Sequence, residues 1–278
     1  GHVQARLDAG ISPGTLNRDL AVARRILILA ARAWRDGNGL TWLETAPLLR
    51  MLPHENARRP YPLSWEEQRL LFGELKSHLA HMALFKVNTG CREQEVCSLR
   101  WRWEQPVPEL ETTLFVVPGE LVKNGRPRLI VLNSVARAVI DAYRGQHPEF
   151  VFHRRGQRLM SMNNTGWQRA RERAASAYRE GFDRPALEAF RRVRVHDLKH
   201  TFGRRLRAAG VSFEDRQDLL GHRSGRITTH YSQAELANLI EGAERVCCAE
   251  SRKTPAKNSF EGSNTKRGRC RIESILPR

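Results

Sequence analysis

A mainly α-helical fold with a small β-sheet, an α+β class, is predicted by three observations. Apolar residues recur at alternating steps of three and four over most of the chain, helix start and stop signals punctuate those stretches, and the pattern turns β-branched only between Leu114 and Leu132.

Composition narrows the function. The chain has 278 residues, 40% of them apolar, which suffices for sizeable cores. It carries 47 Lys and Arg against 30 Asp and Glu, a formal charge of +17. The excess is clustered: residues 154–207 hold fifteen basic against five acidic side chains. Such clustering favours a polyanionic partner, nucleic acid, over a solvated surface or a membrane surface. The longest apolar run, Ile26–Ala31, has six residues, far short of the ~20 a membrane span needs. Five cysteines, with Cys247 and Cys248 adjacent, suit a reducing compartment better than a disulfide framework. The chain begins Gly1-His2, which reads as a fragment whose natural N-terminus lies upstream.

Taken in order, Ser12-Pro13 opens a helix on which Leu16, Leu20, Ala23, Leu27, Ala30 and Trp34 share a core-facing stripe. Arg18, Arg25 and Arg32 fall on the opposite face, either tracking a phosphate backbone or simply solvated. Asp36-Gly37-Asn38-Gly39 ends that helix, and Asn56–Pro62 reads as an interdomain linker. Ser64 with Glu67 forms a capping box, and a second helix is expected over His81–Trp101 with a break near Thr89-Gly90. Leu114–Lys123 and Arg126–Leu132 flank Asn124-Gly125, a hairpin signal. Helical patterns resume from Val135 to about Arg245, and residues 249–278 read as a flexible basic tail.

Several side chains look chemically costly. Arg92 shares a face with Val96 and Leu99, so its guanidinium needs a partner; Glu95 could hold one side of the fork while the other meets an anion, or the two could form a structural bridge. Leu198, Phe202, Leu206 and Ala209 form a buried stripe stopped by Gly210, with His196 and Lys199 on an adjoining face placed to grip one phosphate. His196 and His200 have a metal-like spacing but no acidic or cysteine partner at zinc-site spacing, so no metal is expected. Ser212 caps a short helix ending at Leu219-Leu220-Gly221, followed by His222, Arg223 and Arg226. Tyr231 precedes the capping box Ser232–Glu235, where its phenol could lie beside a phosphate-binding helix N-terminus or make a hydrophobic staple with Leu236.

Together these segments resemble the tyrosine recombinase (phage integrase) family. Thr89-Gly-Cys-Arg-Glu-Gln-Glu95 resembles its first-arginine box, His196-Asp-Leu-Lys-His-Thr-Phe202 its His-x-x-Arg box, and Leu220-Gly-His222 followed nine residues later by Tyr231 its histidine and nucleophile box. The resemblance implies a catalytic domain of the DNA breaking-rejoining fold over 63–248, preceded by the C-terminal part of a helical, SAM-like core-binding domain over 1–57 and a linker at 58–62. It implies that Tyr231 attacks a scissile phosphate to give a 3′-phosphotyrosyl link, that Arg92, His196, Lys199 and His222 stabilise the developing charge, that Lys123 protonates the departing 5′-oxygen, and that Glu95 orients the pocket. Arg18, Arg25, Arg32, Arg223 and Arg226 are the expected DNA contacts, and the resemblance implies no cofactor. One position departs from the pattern: lysine stands at 199 where the family has its second arginine, keeping the charge but losing the bidentate fork.

The implied function is site-specific recombination of double-stranded DNA, integrating or excising a mobile element. The partners would be DNA, a homotetramer on DNA that is a monomer or dimer when free, and directionality factors, with the protein nucleoid-associated in a bacterial cytoplasm. Residues 236–248 are the expected segment for docking on a neighbouring protomer. Two alternatives stand beside this: a DNA-binding accessory protein weakened by Lys199, and a type IB topoisomerase-like activity.

Overall fold

The structure, a computed structural model, describes residues 1–53, 58–122, 125–221 and 232–247. Lys123, His222, Arg223, Arg226 and Tyr231, part of the linker stretch, and the basic tail lie outside the described residues. The chain divides into two units between Arg59 and Pro60.

In the first unit, helix α1 (His2–Asp8) precedes α2 (Pro13–Arg32). Ser12 caps α2 by accepting the Thr15 N–H at 3.3 Å, with proline at the first helical position. Leu16 and Ala30 are buried, Leu20, Ala23 and Leu27 are half-buried, and Arg18, Arg25 and Arg32 are exposed. The stripe is shorter than expected, because α2 ends at Arg32. Trp34 therefore lies past the helix, exposed, with its ring 5.3 Å from that of Trp42. The Asp36 carboxylate accepts the N–H groups of Asn38 and Leu40, both at 2.9 Å, closing the turn. The Asn17 side chain returns the later chain to α2, donating to the Leu52 carbonyl at 2.9 Å and accepting its N–H at 2.8 Å.

The second unit is built around α4 (Ser77–Thr89), whose residues 79–89 are all buried. It packs against α6 (Ser134–Tyr143) and α9 (Asp197–Ala208), while α3 (Trp65–Glu74) packs on α7 (Thr165–Phe182). The Ser64–Glu67 capping box is present: Ser64 Oγ accepts the Glu67 N–H at 3.2 Å, and the Glu67 carboxylate accepts the Ser64 N–H at 2.9 Å.

The single helix expected over His81–Trp101 is two. α4 begins earlier, at Ser77, and stops at Gly90, whose φ of +64° is a left-handed conformation that glycine takes without strain. A Cβ there would lie 2.8 Å from the Phe202 ring, so the same glycine lets α9 approach. The chain restarts as α5 (Glu93–Cys97), in which Glu95, Val96 and Cys97 are buried.

The small sheet is antiparallel, in the order β1 (Glu104–Val107), β2 (Thr112–Val117), β3 (Arg128–Val131). The sequence signals predict a β2–β3 pairing that runs on towards an Asn124-Gly125 turn. Instead β2 ends at Val117, opposite Arg128. In that register the next pair would be Pro118 and Pro127; neither has an N–H to donate, so the ladder stops. A 3₁₀ turn at Gly119–Leu121 follows.

Beyond α8 (Glu188–Arg191) and α9, α10 (Phe213–Leu220) is capped by Ser212 and α11 (Gln233–Glu244) by the Ser232–Glu235 box. Leu239, Ala243 and Val246 join Val131, Phe202, Leu206, Val211 and Leu219 in a second core. The Glu244 carboxylate accepts from the Ser134 N–H and hydroxyl at 2.7 and 2.6 Å. Residues 236–247, expected to dock on a neighbour, are thus seated on their own unit.

Candidate active site

The end of α10 is where the sequence motifs meet. A helix leaves its last four carbonyls without helical partners, at the negative end of its dipole. Here the final carbonyls are met by three cations from three different elements. Arg128 of β3 donates to the Asp218 and Leu219 carbonyls at 2.7 and 2.6 Å, Lys199 of α9 donates to the Leu220 carbonyl, and Arg92 donates to the Gly221 carbonyl at 3.2 Å.

Arg92 sits just before α5 and is the most accessible of the three, with its side chain 26% exposed. Glu95 is its partner, as the spacing suggests: one carboxylate oxygen accepts Arg92 Nη1 at 2.8 Å, and the other accepts the Arg92 N–H at 2.7 Å. Arg128 Nε lies 3.9 Å from the same carboxylate. Burial pushes the Glu95 carboxyl up, but the Arg128 charge and the Arg92 hydrogen bonds outweigh it and hold the group below its usual range. Glu95 is thus an ionised strut between two cations.

Lys199 is 4% exposed. Burial, then the charges of Arg128 and Arg92, lower its ammonium to about 7, against a weaker opposing pull from Glu95 and Cys91. His196 stands at the N-terminus of α9, exposed, with its ring 4.9 Å edge-on to His200. Burial, His200, Lys86 and Lys199 lower the His196 imidazolium. Asp197 fixes that helix start: its carboxylate accepts the Arg194 N–H at 2.8 Å and the Tyr61 N–H at 3.2 Å.

The structure therefore brings Arg92, Glu95 and Lys199 together, with His196 within electrostatic reach of Lys199. The segment carrying His222 and Tyr231 begins at the next residue after Gly221. Two members of the cluster are not evident from the sequence motifs. Arg128 is buried on β3, on the same strand face as Ile130; a charged residue two positions from a core residue in a strand is the available signal. Lys86 is 0% exposed, donates to the Cys91 carbonyl and so steadies the turn before Arg92; its signal is a lone cation among the apolar residues of Met82–Val87. Burial lowers the Lys86 ammonium to about 8. Among the described residues no group of three or more His, Cys, Asp or Glu could hold a metal ion, and no helix is long and apolar enough to cross a membrane.

This mostly helical architecture with its three-stranded sheet is that of tyrosine recombinase catalytic domains. A sequence model of the phage integrase family matches residues 66–237, and the chain belongs to that family. The integrase of Salmonella phage P22 is 25% identical over 229 residues, 82% of this chain and 56% of the relative, so this chain spans little more than half of that protein. Tyrosine recombinase XerC of Xanthomonas campestris pv. campestris (strain B100) is 28% identical over 255 residues, 87% of this chain and 71% of the relative. Among solved structures, the Tn1549 transposon integrase in complex with circular intermediate DNA superposes with a TM-score of 0.53 at 14% identity, covering 84% of this chain and 80% of that one.

Proposed function

We propose that the chain is a site-specific DNA recombinase that cleaves and rejoins duplex DNA through a 3′-phosphotyrosyl link at Tyr231, serving integration or excision of a mobile element. The observation that carries this reading is the cluster of Arg92, Lys199 and Glu95 at the end of α10, one residue ahead of the segment that holds His222 and Tyr231. Phosphoryl transfer passes through a phosphorus centre that gathers negative charge on its non-bridging oxygens, and fixed cationic donors aimed at those oxygens lower that barrier.

In this reading Tyr231 is the nucleophile, Arg92, His196, Lys199 and His222 address the non-bridging oxygens, and Glu95 fixes Arg92. Lys123 gives the proton to the leaving 5′-oxygen. Duplex DNA is the partner, with Arg18, Arg25, Arg32, Arg223 and Arg226 as backbone contacts; the Tn1549 integrase, of similar fold, is itself bound to circular intermediate DNA. A homotetramer on DNA, directionality factors and a bacterial nucleoid setting complete the proposal. The seating of 236–247 on its own unit makes exchange between protomers a step that must first release α11.

Incubation with a nicked duplex in EDTA should give a denaturation-resistant adduct that Tyr231→Phe abolishes; an adduct that survives in that variant excludes Tyr231 as the nucleophile. A second reading, a binding protein with weakened chemistry, is favoured by one feature: Lys199 is buried and its ammonium is lowered to about 7. Lys199→Arg separates the two, because a large gain in cleavage would mean that the lysine limits the reaction.

A further inference from the structure

Arg128 is placed to do more than fill a gap. Its guanidinium, 4% exposed, reaches three elements at once: the Asp218 and Leu219 carbonyls at the end of α10, the Thr89 carbonyl at 3.5 Å at the end of α4, and the Glu95 carboxylate beside α5. Those are the pieces that carry Arg92 and receive Lys199. Gly221 records how close the packing is: with φ of +59°, a Cβ there would lie 2.5 Å from Arg128 Nε. Glycine at 221 is thus required both by the backbone and by the arginine.

We propose that Arg128 is a positioning residue for the reaction. Its planar fork pins the last turn of α10, so that the Leu220 and Gly221 carbonyls hold Lys199 and Arg92 side by side, while its charge faces the same Glu95 carboxylate that fixes Arg92. This deepens the recombinase reading and rests on it for the catalytic part of its test. A planar fork suits the task because it meets two adjacent carbonyls at once, which a lysine's point charge does not. Four neighbours govern the charge of Lys199: Arg128 from β3, Arg92 and Glu95 from around α5, and Cys91 from the turn after α4, with His196 and His200 on its own helix. Of the charges opposing its protonation, Arg128 is the first after burial itself. Removing it must therefore raise the lysine's midpoint.

Two variants and two readouts test this on the full chain. Arg128→Met removes fork and charge; Arg128→Lys keeps the charge and loses the fork. The first readout needs no activity: the Lys199 side-chain resonance, assigned by its loss in Lys199→Arg, is titrated by NMR in lysine-labelled free protein. The native midpoint should lie near 7, rise in Arg128→Met and stay within half a unit in Arg128→Lys. The second readout is the single-turnover rate of adduct formation on saturating nicked DNA. It should fall at least tenfold in Arg128→Met and be recovered only in part by Arg128→Lys, with DNA affinity within about twofold of native in both. A folded Arg128→Met with unchanged Lys199 midpoint and unchanged rate overturns the proposal. Should Arg128→Met fail to fold, Arg128→Lys decides: an undiminished rate overturns it. If the native protein forms no Tyr231-dependent adduct, the recombinase reading fails, and the NMR titration alone still decides whether Arg128 sets the state of Lys199.

Discussion

Lysine in place of arginine at 199 changes what pH can do. Arginine stays protonated throughout the accessible range, whereas this buried ammonium loses its proton near 7. In its proposed role at the phosphate, the charge of Lys199 is therefore present below neutrality and lost above it. Adduct formation on subsaturating DNA should fall as pH rises from 7 to 9, and Lys199→Arg should remove that limb; identical pH profiles for the two proteins would contradict it. The sign for stability is the opposite. The folded midpoint lies below the unfolded one near 10.4, so between them the unfolded chain binds more protons and stability rises with pH. A neutral residue of similar length, Lys199→Met, should stabilise the protein at pH 6 and lose that advantage towards pH 10, measured by urea unfolding. The motifs make Arg92, Glu95, His196 and Lys199 legible one by one. Arg128 and Lys86 stay hidden, because what they hold is backbone carbonyls, which leave no residue-type signature in a sequence.

At the scale of elements, local signals are reliable where a side chain closes its own helix. The boxes at Ser64–Glu67 and Ser232–Glu235, the Ser12 and Ser212 caps and the Leu198–Phe202–Leu206 stripe all lie where periodicity puts them. Short elements are not legible. α1 has seven residues and no side-chain cap, and β1 carries Pro106, which fits an edge strand but hides it in the sequence. The hairpin differs from expectation because Asn-Gly is a local signal, whereas the paired prolines at 118 and 127 act across the ladder. Packing at the α10 terminus gives two measurable consequences. Gly221→Ala should cost about 1–3 kcal/mol through left-handed strain alone, more with the Arg128 collision, and should abolish the adduct. Phe202→Ala, which empties a site shared with Gly90, should cost about 3–5 kcal/mol by thermal or denaturant melting; a loss under about 1 kcal/mol in either would mean that this junction is loosely packed.

For the whole molecule, charge is the feature that the sequence displays most openly. Fifteen basic side chains within residues 154–207 should make DNA affinity fall steeply with salt, because each neutralised phosphate releases counterions. An affinity indifferent to salt between about 50 and 200 mM would contradict a phosphate-tracking surface. Composition and motif order place the chain in its family before any geometry. They do not show that α11 folds back on its own unit, since an amphipathic helix reads the same whether its apolar face meets its own core or a neighbour's. As the proposed nucleophile, Tyr231 takes the DNA chain in covalent form on its phenol. Mass-spectrometric mapping of the protease- and nuclease-trimmed adduct locates that link. A single modified peptide with the 3′-phosphate of a nucleotide on Tyr231 is expected; a link at any other residue, or through a 5′-phosphate, would rule out a 3′-phosphotyrosyl link at Tyr231.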